Sequence, residues 1–371
     1  MSFRYTSPPL LTQGLSALAL VAGMLGALHH PAGAAAYAAW VQGTPGILHV
    51  VGAFVALHLL VFWGMTGAFW LVDRFDGPAF ITRHRIQSGP MRRPPAAKVA
   101  RTLALNQLLL GPLLTLGLWQ ALLLLGWQAS PTPAGPLEVL LDLAGLSVCS
   151  AVWFYASHRF LHRPWWMKRV HRVHHEFRTS RCVASEYAHP VEFIVGNYGT
   201  LGVGVLLLQP ELSTLYIYTV VGTLTFVGHH SGYALPWMSW PVHHDWHHYR
   251  YTEIFGTFGL LDRLLGTDKE FRQLEDGQVA DIATGLPEPT QVKAFTLPLG
   301  LGIASFVAAG GAVTGAILLD GALEGLSQSG NPGTLRLARY CSVGLAYAGT
   351  PLLVVGSGYG IWRHVQLRRG R

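Results

Sequence analysis

Long apolar runs alternate with short polar segments along most of the chain. A helix that crosses the hydrocarbon core of a bilayer needs about 20 apolar residues, and several runs are of that length. They cover residues 10–28, 46–72, 102–127, 137–156, 295–318 and 341–361. Two shorter runs, 191–208 and 212–228, predict a helical hairpin that either crosses the membrane or dips into it. The pattern predicts an all-α integral membrane protein built as a multi-span helical bundle.

Basic residues are concentrated in two of the segments between these runs. Segments 73–101 and 157–190 each carry seven Lys or Arg residues, whereas 29–45 and 128–136 carry no formal charge. Cytoplasmic loops near span ends are enriched in Lys and Arg. We therefore expect the basic segments, and the histidine motifs described below, to face the cytosol.

The composition agrees with a membrane protein and argues against nucleic acid as a partner. Hydrophobic residues make up 50% of the chain and charged residues 12%, where a soluble domain has about 25% charged residues. The mean hydropathy is +0.33. The net charge of +7 arises from basic residues at span ends rather than along one soluble face, so we expect the lipid bilayer to be the partner of these cations.

Neither a candidate signal-cleavage site nor the pattern of cysteines fixes the cellular compartment of the protein. The small residues 34–36 after an apolar run would also suit cleavage of a secretory signal, although only Arg4 provides a positive start. The cysteines are odd in number and widely spread, which gives no disulfide framework and no Cys-x-x-Cys motif. They are Cys149, Cys182 and Cys341.

Proline-rich breaks divide the chain into three regions. Residues 1–101 form an N-terminal membrane region with a basic cytosolic loop, and 291–371 form a C-terminal membrane region. The segment between them, 102–290, holds most of the chemistry-bearing residues and is the predicted catalytic domain.

Histidines are concentrated in three motifs of this central region: HRFLH at 158–162, HRVHHEF at 171–177 and HDWHH at 244–248. Residues three or four apart share one face of a helix, so the first motif is expected to aim its rings one way and the second to do likewise. All three motifs are expected to bind metal. Histidines outside this region are expected to be ordinary core or interfacial residues. They are His29, His30, His49, His58, His84 and His364.

The number of histidines favours two metal ions. A zinc site takes about four ligands and structural ones favour cysteine, and about ten histidines exceed what one ion uses. Imidazole suits several metals; we favour iron because oxidation of an unactivated C–H bond needs redox chemistry, which zinc lacks. A zinc-protease H-E-x-x-H motif fails because Thr179 stands at the second histidine. Haem is not indicated, since His49 and His58 do not share a helix face.

Four carboxylates near the motifs are candidates for orienting the ligand histidines. A carboxylate that accepts the second ring N–H of a ligand fixes the tautomer of that ring. We favour this role for Asp245 because it lies inside HDWHH, and leave Glu176, Glu186 and Glu192 undecided between this role and charge balance on a solvated face.

The motifs together resemble those of the fatty acid hydroxylase/sterol desaturase superfamily. The resemblance covers about 140–275 and includes EYAHPVE at 186–192, HHSGY at 229–233 and LLDRLLGTD at 260–268. It is closest to C-4 methylsterol oxidases and fatty acid hydroxylase domain-containing proteins, with a weaker upstream match at TRHRIQ, 82–87, and Asn106-Gln107.

This resemblance implies a membrane-bound di-iron oxygenase with two non-haem Fe ions. It implies electrons from NAD(P)H through cytochrome b5 or a similar electron-transfer protein, and an endoplasmic reticulum membrane location if the source is eukaryotic. His229 and His243 adjoin motif histidines and are not assigned as ligands. The implied metal ligands are His158, His162, His171, His174, His175, His189, His230, His244, His247 and His248.

The function implied is O2-dependent oxidation of a sterol-like lipid, foremost a C-4 methylsterol monooxygenase of sterol biosynthesis. Hydroxylation or desaturation of another lipid (an acyl chain, a sphingoid base or another sterol position) is the alternative. The absence of a second H-x-x-x-H pair before the last motif argues against fatty-acid 2-hydroxylation. A different class, a non-catalytic metal-binding or transport protein, is disfavoured because ionisable residues are scarce inside the spans.

Overall fold

The computed structural model describes residues 2–4, 10–88, 93–238, 240–274 and 279–281. The predicted region 291–371, with its two apolar runs, lies outside the described residues. The helices are α1 (Leu10–His29), α2 (Pro31–Gly43), α3 (Leu48–Phe75), α4 (Ala79–Thr82), α5 (Ala96–Leu124), α6 (Pro136–Leu161), α7 (Pro164–Arg169), α8 (Pro190–Leu208), α9 (Leu212–His229), α10 (Pro241–Arg250) and α11 (Leu260–Leu265). Short 3-10 helices cover His171–Glu176, Cys182–Glu186 and Phe271–Gln273.

Four of the described helices, α3, α5, α6 and α8, are long and apolar enough to cross a membrane. The predicted integral membrane class is thereby confirmed. The first predicted run, 10–28, forms α1. The chain then bends by 76° between α1 and α2, giving a broken span or a re-entrant loop. Proline at position 31 has no N–H to continue the hydrogen-bond ladder of α1 and begins α2 instead.

The boundaries of α6 follow from its sequence. Pro136 occupies the first turn, where its missing N–H leaves no bond unmade. The helix stops at Leu161 because Pro164 disfavours the helical conformation at the residue before it. The last turn of α6 therefore places His158 and His162 at the end of a membrane span, as predicted.

The predicted hairpin forms as α8 and α9. Gln209, at the turn, has a positive φ of 48°, and Glu211 caps α9 by accepting a hydrogen bond from the Ser213 backbone N–H at 2.6 Å. Gly204 of α8 lies so close to α6 that a Cβ there would be 2.9 Å from the Cβ of Cys149. Close packing of α8 on α6 therefore requires glycine at this position.

A small antiparallel sheet, absent from the sequence-based prediction, braces the end of the bundle that carries the histidines. Its strands are β1 (Ser2–Arg4), β2 (Gln87–Ser88) and β3 (Val279–Asp281), in the order β2-β1-β3. The fully buried Phe3 packs edge-on against Trp246 of α10, with ring centroids 5.0 Å apart. The helical class is otherwise confirmed.

Candidate metal centre

Four elements converge to bring nine buried histidines together. They are the end of α6, the 3-10 helix His171–Glu176, the residue just after α9 and the helix α10. The nine fall into two groups that could each hold a metal ion. The first group is His158, His162, His171, His175 and His247, and the second group is His174, His230, His244 and His248.

The expectation that the second motif aims all its rings in one direction is wrong. His171 and His175 belong to the first group, whereas His174, between them, belongs to the second. In α10, His244 and His248 are four residues apart and share a face, while His247 points into the first group. The two H-x-x-H-H motifs, at 171–175 and 244–248, therefore each contribute to both groups.

In the first group the Nε2 atoms point at one another. His171 Nε2 is 2.9 Å from His162 Nε2 and 2.9 Å from His175 Nε2. The His247 and His175 Nε2 atoms are 3.3 Å apart. Ligands held about 2.1 Å from one metal ion are separated by about 3.0 Å at right angles and about 3.4 Å in a tetrahedron, so these spacings suit a shared ion.

The second group has the same arrangement. His244 Nε2 lies 2.8 Å from His230 Nε2 and 3.0 Å from His248 Nε2. His174 completes the group, with its Nε2 atom 3.4 Å from His230 Nε2. The separations again match the edges of a metal coordination polyhedron.

Contacts with backbone carbonyls on the opposite ring nitrogen decide the tautomers of four of these histidines. The Nδ1 atom of His158 lies 2.8 Å from the carbonyl oxygen of Phe255, and that of His247 lies 2.8 Å from the carbonyl oxygen of Glu253. His230 and His248 Nδ1 likewise contact backbone carbonyls, and His171 Nδ1 contacts a carboxylate. A carbonyl only accepts, so Nδ1 carries the proton and Nε2 presents a lone pair.

Several lone pairs directed at one point repel each other unless a cation lies between them. Burial keeps the rings neutral: desolvation lowers the pKa of His171 and of His247 to about 3, and that of His174 to about 4. A metal ligand must be an unprotonated imidazole. The donor set, its tautomers and its spacing therefore fit two metal ions, and iron is among the metals that all-imidazole groups of this kind can hold.

The remaining histidines of the region lie outside both groups. His189, a predicted ligand, is half-buried, and its Nδ1 accepts a hydrogen bond from the Val191 backbone N–H at the start of α8. His229 contacts the carbonyl oxygens of Thr225 and Thr257. His243 packs its ring on Phe271, with centroids 4.8 Å apart.

The structure assigns different roles to the four carboxylates considered above. Glu192 Oε1 lies 2.7 Å from His171 Nδ1 and orients that ring. Glu176 instead binds Lys98 and Tyr187, and Glu186 binds His58 and Gln107.

The prediction that Asp245 would hold a histidine ring is wrong. Its Oδ1 accepts hydrogen bonds from Gln87 Nε2 at 2.8 Å and from the Ser180 backbone N–H at 3.4 Å. On α10, Asp245 follows His244 directly, and adjacent residues do not share a helix face. It ties α10 to the loop at Ser180 and to β2 instead.

Asp262 supports the metal centre, although in the sequence it appeared only as one residue of the LLDRLLGTD motif. Its carboxylate accepts hydrogen bonds from the backbone N–H groups of Phe255 and Gly256, at 2.7 and 2.9 Å, and from Thr267 Oγ1. These bonds hold the loop whose carbonyls at Glu253 and Phe255 orient two histidines of the first group. Asp262 of the LLDRLLGTD motif therefore supports the metal centre indirectly, by fixing the loop whose carbonyl oxygens orient the ligand rings. This role is visible only in the folded chain.

A cavity of about 430 Å³ runs between the membrane helices and reaches the second group. Its wall is mainly apolar and includes residues of α1, α3, α5, α6, α8 and α9. At one end the wall includes His230 and His244. The second histidine group therefore borders a mainly apolar space between the membrane helices.

Comparison with known proteins agrees with this site. The family model for fatty acid hydroxylase matches residues 143–267, which include all nine clustered histidines. Human "Fatty acid hydroxylase domain-containing protein 2" is 34% identical over 238 residues, covering 62% of this chain and 70% of the relative. Among solved structures there is no significant match.

Two plant relatives carry other names. "Methylsterol monooxygenase 2-2" of Arabidopsis thaliana is 32% identical over 241 residues, 62% of this chain and 88% of the relative. "Very-long-chain aldehyde decarbonylase GL1-11" of Oryza sativa subsp. indica is 42% identical over 131 residues, 32% of this chain and 49% of the relative. With this coverage, and with the matched region enclosing the histidine groups, the chain belongs to the fatty acid hydroxylase family and is a membrane oxidoreductase.

Proposed function

We propose that this protein is a C-4 methylsterol monooxygenase that holds two non-haem Fe ions in the first and second groups. The nine histidines of those groups are the proposed ligands. His189 is left out because its Nδ1 caps α8. Electrons come from NAD(P)H through cytochrome b5 or a similar donor, and O2 is the oxidant.

The convergence of nine buried imidazoles beside an apolar cavity carries this proposal. Bound iron supplies the redox chemistry that an unactivated C–H bond requires. The reaction balances as a monooxygenation: the C–H bond of the substrate and O2, with two electrons and two protons, give C–OH and water. Two further oxidations of the same carbon lead through the aldehyde to the carboxylate.

The chain's own residues position the reactants. Carbonyl oxygens and Glu192 hold the ligand rings through Nδ1, so that little reorganisation is needed when metal binds. The apolar cavity excludes water and presents a lipid carbon to the second group. A volume of about 430 Å³ falls within the range of about 300–1,000 Å³ for small-molecule sites and suits one lipid molecule.

The sterol assignment is supported by the plant relative named as a methylsterol monooxygenase. The second candidate is oxidation or desaturation of another lipid, which the relative named "Fatty acid hydroxylase ahd1" of Mycosarcoma maydis favours at 32% identity. Both candidates use the same metal centre, and the product distinguishes them.

The proposed setting is a membrane with the histidine motifs on the cytosolic side, the endoplasmic reticulum in a eukaryote. Segments 73–101 and 157–190 supply the basic residues that support this orientation. We further propose 102–290 as the catalytic domain, flanked by membrane regions 1–101 and 291–371.

The test uses the full chain, purified with iron and reconstituted with NADPH, a reductase and cytochrome b5. We expect two irons per chain and transfer of ¹⁸O from ¹⁸O2 to the 4-methyl carbon of a 4-methylsterol, detected by mass spectrometry. Product from an acyl lipid alone would establish the second candidate. An iron-loaded enzyme that oxidises no sterol and no acyl lipid would refute the proposal.

A further inference from the structure

Four polar side chains form a connected cluster in the mainly apolar cavity wall. They are His58, Gln107, Glu186 and Thr223, and we call them the polar node. Glu186 Oε1 lies 2.8 Å from His58 Nε2, and Glu186 Oε2 accepts a hydrogen bond from Gln107 Nε2 at 2.7 Å. His58 Nδ1 lies 3.1 Å from Thr223 Oγ1.

The polar node lies deep within the membrane helices. His58 stands ten residues after the start of α3 and seventeen before its end, which places it about 15 Å and about 26 Å from the two ends. Ionisable groups at such depth are costly and usually functional. Holding helices together would explain the bonds among the four residues, but not why all four face the cavity.

Glu186 retains the capacity to bind a ligand. A carboxylate has about four acceptor sites, and within the polar node His58 and Gln107 engage one oxygen each. The Glu186 residue is only 3% exposed, so a hydroxyl group that donates to it would do so away from water. Hydrogen bonds to buried charged groups are stronger than those between neutral groups.

The polar node also stands at a defined distance from the metal centre. Thr223 lies in α9 and His230 directly follows that helix, so the two are seven residues apart. Seven residues are nearly two turns, which puts both on one face and about 10 Å apart along the axis. Both line the cavity, and His230 belongs to the second group.

We propose that the polar node binds a hydroxyl group of the substrate and thereby selects the carbon that is oxidised. This rests on the proposed oxidation of a lipid at the second group. A hydrogen bond of about 2.8 Å, an O–C–C–C path of about 3 Å and a reactive approach of about 3.5 Å cover most of the 10 Å rise. The substrate class is therefore a lipid whose hydroxyl is about three bonds from the oxidised carbon, as the 3-hydroxyl and 4-methyl groups of a sterol are.

The test compares a 4-methylsterol with its 3-deoxy analogue in binding and in turnover. Binding is measured by displacement of a fluorescent sterol from the detergent-solubilised, iron-loaded full chain, and turnover by product formation with the donor system. The variants are Glu186→Gln and Thr223→Val, each checked for iron content. Glu211→Gln is the matched control, because Glu211 binds Tyr37 and Ser213 and does not line the cavity.

We expect wild type to bind the 4-methylsterol 10-fold to 100-fold more tightly than the 3-deoxy analogue. Glu186→Gln should remove most of this preference by weakening binding of the hydroxysterol alone, and Thr223→Val should reduce it by a smaller factor. Glu211→Gln should keep the preference. Equal affinity of wild type for the two lipids, or equal weakening of both by Glu186→Gln at unchanged iron content, would overturn the proposal.

The two proposals fail separately. A preference for the hydroxysterol in binding, with no oxidised product from any lipid, would leave the polar node in place and refute the oxidation proposal. Efficient oxidation of both lipids, without a preference in binding, would support the oxidation proposal and refute the role of the polar node.

Discussion

Glu192 provides the sharpest test of how the first group is held. Its Oε1 is 2.7 Å from His171 Nδ1, and both side chains are buried. Removal of such an outer partner typically weakens metal binding by about 10-fold to 100-fold, or about 1.4–2.8 kcal/mol. Glu192→Leu also leaves the His171 N–H without an acceptor, so we expect the upper end. Glu192→Gln keeps an amide oxygen in reach and should lose about 10-fold.

The assay is iron content per chain after dialysis against graded chelator, measured by mass spectrometry of the metal. Glu192→Leu should lose one of the two proposed irons at a chelator concentration about 100-fold lower than wild type, because Glu192 hydrogen-bonds to His171 of the first group. The matched control is Glu176→Gln, whose carboxylate binds Lys98 and Tyr187 instead. Retention of both irons by Glu192→Leu at wild-type affinity, or equal loss in the control, would refute the reasoning.

Three further outcomes are expected. His247→Ala should empty the first group, whereas His243→Ala, four residues earlier on α10, should keep full iron because its ring packs on Phe271 instead; iron analysis separates the two. Ala151→Trp should fill the cavity and abolish lipid turnover at normal iron content, while Val148→Trp, exposed on the same helix, should remain active. Gly259→Ala, at φ +73° and with a Cβ 3.0 Å from the His243 ring, should destabilise the fold by about 1–2 kcal/mol in thermal unfolding.

Much of the helical architecture could be predicted from local sequence. Apolar runs located α3, α5, α6 and α8, since an apolar segment of that length has few alternatives to a membrane helix. Helix α2 was missed because it lies in the uncharged segment 29–45, although proline at position 31 is typical of a helix start. Strand β1 was missed because three residues carry too little periodicity to register, and its partners lie far along the chain.

For the metal centre, too, local sequence predicted some features and missed those that depend on distant parts of the chain. Residue type and spacing identified eight of the nine clustered histidines, because the i, i+3 and i, i+4 patterns are local properties of helices, and the resemblance added His230. The same patterns gave the wrong direction for the rings of the second motif. His58 was expected to be an ordinary interfacial residue, and its contacts with Glu186 and Thr223 come from distant parts of the chain.

The sequence by itself determined the membrane class, the family and the residue types that meet at the centre, since these depend on composition and on spacing within single elements. The tertiary structure decided how nine histidines divide into two groups, which carboxylate holds a ring, and which polar residues face the cavity. Those outcomes depend on the packing of helices that are far apart in sequence, and no local pattern carries that information.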